Sequence, residues 1–145
     1  CSYIVYKGYW SHGQRTGTLG RPSKGLEEIA AIARDAQDAG IAAMKPGLPA
    51  GRIAKAVRAR AAESGWELQG GRVGHGIGLD YSERPVPAET NDSLLEAENP
   101  IIIHSSCSIP GSGKLFVPLG DVCHVTPDGP ELLMKFPRTL FLAGR

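Results

Sequence analysis

The order in which secondary-structure patterns follow one another constrains this chain most. Residues 3–19 are rich in β-branched and aromatic residues, which predicts two strands joined by a bend around Gly8 to Gly13. Residues 20–66 carry two helical patterns, and from residue 67 the chain returns to strands and loops. This order has no βαβ alternation, so it predicts an α+β fold with helices packed on a curved, mostly antiparallel sheet.

Capping and turn residues place the two helices. Pro22 and Ser23 fit the start of a helix within residues 20–40, and Gly40 is expected to end it. Its inward stripe comprises Leu26, Ile29, Ile32, Ala33 and Ala36. A second helix is predicted within residues 44–66, after the turn at 46–47. Its basic residues are expected on a solvated face: Arg52, Lys55, Arg58 and Arg60.

The later part of the chain alternates short strand-like runs with Gly- and Pro-rich segments. Strands are predicted within residues 100–106, 113–126 and 131–135, separated by Pro-Gly and Asp-Gly turns. The Gly-rich stretch at 70–89 lets the backbone approach a ligand closely.

The composition excludes several classes of protein. The chain has 145 residues and a formal net charge of +1, which argues against nucleic-acid partners and a polybasic membrane surface. Its 19 Gly and 11 Pro exclude a coiled coil or a simple helical bundle. No apolar run reaches the roughly 20 residues of a membrane span. Cys1, Cys107 and Cys123 follow no disulfide pattern, so reduced thiols and a cytoplasmic location are expected.

Four ordered segments carry a resemblance to a known family. They are GYWSHGQRTGTLGRPS at 8–23, GHGIGLDYSERP at 74–85, IPGSGKLFVPLGDVCHVTPDGPELL at 109–133 and FPRTL at 136–140. In this order they resemble the pita-bread family, which holds methionine aminopeptidase, the Xaa-Pro peptidases and creatinase. The resemblance implies a pita-bread fold, in which residues 1–145 form the C-terminal part of a creatinase/aminopeptidase-like catalytic domain.

The same resemblance shows where this chain departs from the family. The metallopeptidase members hold two metal ions with two Asp, one His and two Glu, because carboxylates bridge hard divalent ions. In that order, the five positions fall on Cys1, His12, His75, His104 and Gly120. Each carboxylate is replaced, so a dinuclear metallopeptidase site is not expected. Creatinase resembles the peptidases in fold and works without metal, so it provides a precedent for a site without a cofactor.

The principal hypothesis is therefore a metal-independent, creatinase-like hydrolase or acyl- or amidine-transfer enzyme. It would act on a C–N or acyl bond of a small amide or amino-acid derivative. The expected catalytic residues are Cys1, His12, His75 and His104. Cys1 would be an N-terminal nucleophile generated by precursor cleavage, with its new α-amine or the imidazole of His12 or His104 as base. N–H groups of residues 74–78 would stabilise an oxyanion. The resemblance assigns substrate binding to Trp10, Gln14, Tyr81, Ser82 and Glu83.

Two other hypotheses stay open. In one, Cys1, His12, His75 and His104 hold a single Zn, Fe or Cu ion, since a thiolate and imidazoles suit such ions. In the other, the chain is a non-catalytic binding module, as some pita-bread proteins are. The expected partners are the upstream fragment of the same precursor, a second copy in a dimer, and a small-molecule substrate.

Several residues also have structural interpretations. His12 precedes Gly13 in the expected bend, so a solvated polar role competes with a role in the site, and His104 is alternatively a buried core histidine. Arg15 is expected to brace the sheet, and His124 is expected to be structural. The two later cysteines are expected to be small core residues.

Overall fold

The computed structural model describes residues 1–68, 72–108 and 116–144. Within them, the helices are α1 (Lys24–Ala42) and α2 (Gly51–Glu63). The strands are β1 (Ser2–Tyr6), β2 (Tyr9–Gly13), β3 (Gly17–Leu19), β4 (Glu67–Leu68), β5 (Gly74–Gly76), β6 (Pro100–His104), β7 (Cys107–Ser108), β8 (Phe116–Val117), β9 (Gly120–Thr126), β10 (Gly129–Leu132) and β11 (Phe141–Ala143). The predicted α+β class is confirmed.

The main sheet separates the helices from a second face of the molecule. Its strands run in the order β10-β9-β6-β5, and each neighbouring pair is antiparallel. Side chains alternate between the two faces of a strand. Ile101 and Ile103 of β6 therefore join the buried core with α1 and α2, whereas Ile102 and His104 lie on the opposite face. In the register of the sheet, His75 faces Ile102 and His104 faces Gly120.

A two-stranded ribbon adjoins this second face. Strands β1 and β2 pair antiparallel, with Tyr3 opposite His12. The ribbon is tied to the sheet where Gln14 and Gly120 exchange backbone hydrogen bonds, at 3.0 and 3.1 Å. The bend that was expected over Gly8 to Gly13 is shorter than predicted. The turn occupies only the two residues before Tyr9, both with positive φ, and residues 9–13 form β2.

Helix α1 begins as predicted and ends later than predicted. The Ser23 side chain caps it by accepting a hydrogen bond from the Leu26 N–H at 3.2 Å. Gly40 does not end the helix but is buried within it, and α1 continues to Ala42. A side chain at Gly40 would overlap Val57 of α2. Close packing of the two helices therefore explains this glycine, whereas a helix stop does not.

The later strands match their predicted positions in part. Strand β6 lies inside residues 100–106, and the Asp-Gly turn joins β9 to β10. The segment 131–135 was predicted as a strand, but β10 ends at Leu132. Residues 113–115 of one predicted strand, the Pro-Gly turn at 110–111 and the start of the Gly-rich stretch lie outside the described residues. Among the helices of the described ranges, none is long and apolar enough to cross a bilayer.

Candidate metal centre

Three histidines from three strands meet on the helix-free face of the sheet. His12 comes from β2, His75 from β5 and His104 from the end of β6. One nitrogen of each can be chosen so that all three lie within 4.8 Å of one another. The ring centroids are 4.8 Å apart for His12 and His104, and 5.2 Å apart for His75 and His104. The predicted convergence of these three side chains is therefore present in the structure.

The nitrogens of this cluster are buried and unpartnered. Both ring nitrogens of His12, and Nε2 of His75 and of His104, have no hydrogen-bond partner among the described residues. Nδ1 of His75 lies 2.8 Å from the Gly76 carbonyl oxygen. Because a carbonyl only accepts, this nitrogen carries the proton and leaves the lone pair of Nε2 free. Buried polar atoms without partners are uncommon and indicate a missing ligand.

Burial also keeps the three imidazoles uncharged near neutral pH. It lowers the pKa of His12 to about 4, with a further contribution from the nearby His75. It lowers the pKa of His104 to about 3, with contributions from the other two rings. The pKa of His75 is also lowered, mainly by burial. Neutral imidazole is the form that binds metal ions, so the cluster needs no deprotonation to act as a ligand set.

Aromatic and apolar side chains enclose the cluster. Tyr3 stacks on His12, with ring centroids 4.5 Å apart and an interplanar angle of 28°. Tyr81 lies 5.1 Å from the His75 ring and 5.7 Å from the His12 ring. Trp10 packs on the small apolar group formed by Ile77, Ile102 and Val122. The expected placement of Trp10 and Tyr81 beside the site agrees with this arrangement.

The structure does not bring Cys1 into the histidine cluster. Its thiol is exposed and lies outside the group of converging ligand atoms. The Gln14 Nε2 amide donates to Cys1 Sγ at 3.4 Å, and Gln14 Oε1 is buried without a partner. Cys1 instead lines a cleft of about 420 Å³ with Met134 and Phe136. The three histidines therefore form the converging ligand group without the Cys1 thiol, while the charge of the Cys1 amine is among the causes that lower the pKa of His12. The nucleophilic role of Cys1 stays a prediction.

The predicted oxyanion donors are already engaged. The Gly76 N–H donates to the carbonyls of Glu83 and Pro85, and the next two N–H groups donate to Pro100 and Asp80. These groups are not free to stabilise an oxyanion. The predicted substrate-binding residues Ser82 and Glu83 also point elsewhere: Ser82 is exposed, and the Glu83 carboxylate accepts from the Asp80 N–H at 2.6 Å.

Two residues with expected structural roles fulfil them. Arg15 forms a two-point ion pair with the fully buried Asp121, at 2.6 and 3.1 Å, which braces β9 against the residue after β2. His124 lies apart from the cluster and its Nε2 is 2.8 Å from a Glu98 oxygen. The sequence interpretation missed Tyr3, although the Lys7–Gly8 turn sets the register that brings it opposite His12.

Comparisons with known proteins agree with this fold. The profile described as "Metallopeptidase family M24" matches residues 2–127. An uncharacterized peptidase of Staphylococcus aureus (strain USA300) is 35% identical over 136 residues, which are 93% of this chain and 38% of that protein. The chain thus spans well under half the length of this relative.

Two solved structures extend the comparison. A Xaa-Pro dipeptidase from Bacillus anthracis is 35% identical and superposes with a TM-score of 0.87, covering 95% of this chain and 39% of the other. An X-Pro aminopeptidase from Thermotoga maritima MSB8 is 26% identical, also with a TM-score of 0.87, covering 97% and 40%. The predicted pita-bread fold is confirmed.

Proposed function

The chain belongs to metallopeptidase family M24, and we propose that it carries the ligand-bearing part of a peptidase-type hydrolase with one transition-metal ion. His12, His75 and His104 would hold that ion. The observation that carries the proposal is the convergence of their buried, unpartnered nitrogens within 4.8 Å. The corresponding spacing around a tetrahedral zinc ion is roughly 3.3 Å, given Zn–N bonds of about 2.0–2.1 Å. Binding of the ion therefore requires the three donor atoms to move closer together than they lie in the metal-free fold.

The donor atoms favour one borderline ion over a pair of hard ions. Three imidazole nitrogens suit Zn, Fe or Cu, whereas a dinuclear site needs bridging carboxylates. The converging ligand group found among the described residues contains histidines only. Asp121, which follows the last of the five family ligand positions, is paired with Arg15. The site thus fits one metal ion bound by three histidines. It does not fit the carboxylate-bridged pair of metal ions that the resemblance assigns to the metallopeptidase members.

The role of each residue follows from its position. When bound, such an ion polarises a carbonyl and lowers the pKa of a water molecule. The Gly76 carbonyl holds the His75 ring in the orientation that turns Nε2 toward the other imidazoles. Ile77, Ile102 and Val122 lie beside the cluster on the same face of the sheet and make that side apolar. Trp10, Gln14 and Tyr81 stand beside it and are the proposed substrate contacts, with a peptide amide as the bond cleaved.

Cys1 is the residue on which the competing mechanism depends. A thiolate nucleophile needs a base within hydrogen-bond reach. The Cys1 thiol accepts from the Gln14 amide, which is not a base, so the mechanism would depend on the α-amine of Cys1 itself. The metal-independent mechanism therefore has less support than the metal hypothesis. Association with an upstream fragment or with a second copy stays a prediction, as does the binding-module hypothesis.

Metal analysis of the protein purified without chelator tests the proposal. One Zn, Fe or Cu ion per chain is expected in the wild type, and His75→Ala should lower the affinity for that ion by at least about 100-fold, since even residues behind the ligands contribute 10–100-fold. The matched control is His124→Ala, which removes an imidazole outside the cluster and should leave the metal content unchanged. A metal-free wild type that cannot be loaded, or equal loss in both variants, would overturn the proposal.

A further inference from the structure

Two tyrosines lie against the histidine cluster. The ring of Tyr3 stacks on His12, and the ring of Tyr81 contacts both His12 and His75. The tyrosines also contact each other edge to face, with centroids 5.3 Å apart. The buried nitrogens of the cluster have essentially no surface open to water. The tyrosine pair therefore covers a site that must open for any substrate to reach it.

The two halves of this cover come from different parts of the chain. Tyr3 belongs to β1, and Tyr81 belongs to the loop that follows β5. The link between them is the edge-to-face ring contact, with an interplanar angle of 69°. Tyr3 is 54% exposed, so water can reach the surfaces that are uncovered when the rings separate. Separation thus breaks little structure.

The loop that carries Tyr81 is fixed at both ends, which limits the motion to its middle. The Trp10 N–H donates to the Gly78 carbonyl at 2.7 Å, and Glu83 and Gly76 exchange two backbone hydrogen bonds. Tyr81 itself is held by ring contacts with Tyr3, Trp10 and the two imidazoles. Rotation of this one side chain uncovers the cluster while the ribbon and the sheet stay in place.

We propose that Tyr3 and Tyr81 form a gate that controls access to the three histidines and thereby selects what reaches them. The space vacated by the Tyr81 ring is walled by Tyr3, Trp10 and the imidazoles. A flat, uncharged group next to the scissile amide fits that space better than a charged or branched one. The gate is argued from the side chains alone and does not require a bound metal ion. The identity of the group that passes the gate rests on the proposed function.

Chemical modification of the metal-free protein tests the gate directly. Diethyl pyrocarbonate reacts with accessible neutral imidazoles, and peptide mass spectrometry reports each histidine separately. Tyr81→Leu removes the ring that contacts Tyr3, His12 and His75, so modification of His12 and His75 should become about two- to tenfold faster, as expected for the loss of one aromatic pair. Tyr81→Ala should give a larger increase. His124 serves as the internal reference, and its rate should not change.

Two further variants make the result decisive. Tyr3→Leu removes the other ring of the pair and should reproduce the faster modification of His12, on which Tyr3 stacks. Tyr9→Leu, at an exposed tyrosine of the same ribbon, should change nothing. Unchanged rates at His12 and His75 in both gate variants, or an equal increase in Tyr9→Leu, would overturn the gate. Faster modification in a protein that binds no metal would uphold the gate while rejecting the proposed function.

Discussion

Replacing Arg15 is predicted to destabilise the fold strongly, because this side chain joins a buried charge to three parts of the chain. Its guanidinium is 10% exposed and its partner Asp121 is 0% exposed. Beyond the carboxylate, it donates to four backbone carbonyls at 2.8 to 3.0 Å. These belong to Gln14, Gly120, Phe136 and Pro137. Arg15→Met would leave the carboxylate buried without its counter-charge and the carbonyls without this donor.

Breaking a buried ion pair by removing one partner typically costs about 3–5 kcal/mol. A domain of this size unfolds with a free energy of about 5–15 kcal/mol, so the variant should lose a large share of its stability. With an m-value of about 2 kcal/mol per molar urea, the unfolding midpoint of Arg15→Met should fall by about 1.5–2.5 M. Asp121→Leu combined with Arg15→Met removes both charges and should recover part of the loss.

Urea unfolding followed by tryptophan fluorescence measures these differences. The matched control is Arg34→Met, whose guanidinium is 43% exposed and lies 3.9 Å from Asp35. It should change the free energy of unfolding by less than about 0.5 kcal/mol. A loss below about 1 kcal/mol in Arg15→Met would refute the reasoning. A double variant whose destabilisation equals the sum of the two single ones would do the same, since contacting partners are not additive.

Three further predictions follow from the site and the sheet. His12 and His104 have pKa values lowered to about 4 and about 3, so the unfolded chain, where histidine titrates near 6.5, binds more protons below about pH 7. In urea titrations, the free energy of unfolding of the metal-free protein should fall as the pH is lowered from about 7 toward 4. His104→Gln should make this pH dependence less steep. A wild-type free energy that does not change with pH would contradict the prediction. Cys1→Ser should leave metal content and peptidase rate within about twofold, and a fall of 100-fold or more would reinstate the thiolate mechanism. Gly74→Ala should destabilise by more than about 2 kcal/mol in the same assay, because the new methyl group would overlap a carbonyl of β6; Gly17→Ala, whose nearest neighbour would be 3.5 Å away, is the control.

The sequence predicted the α+β class, the start of α1 and the meeting of the three histidines, but not β11 or the break between β8 and β9. Ser23 capped α1 as its residue type predicts. The three histidines were brought together through the family resemblance. The register of β5 with β6 explains the common face of His75 and His104, and the Gln14–Gly120 backbone pair brings β2 next to them. Arg15 was expected to brace the sheet, and its pairing with Asp121 agrees.

The remaining features depend on contacts that a single sequence does not contain. Gly40 looked like a helix stop, but its role is set by Val57 on the neighbouring helix. The N–H groups of residues 76–78 looked free, but they donate to the carbonyls of Glu83, Pro85, Pro100 and Asp80. Cys1 was expected in the site by its family position, and its thiol contacts the Gln14 amide and is not part of the converging ligand group. In each case a tertiary partner decided the outcome.

Replacing carboxylates by imidazoles changes the amount of charge that the fold must bury at this site. Several carboxylates in a space this small repel one another unless cations neutralise them. The three imidazoles carry no charge near neutral pH, so the sheet can bury them without a counter-charge. What they lack is hydrogen-bond partners, and an ion that accepts nitrogen lone pairs satisfies all three at once. Under the proposed function, the same replacement relieves charge repulsion in the metal-free fold and shifts the ion preference from hard ions toward the zinc class.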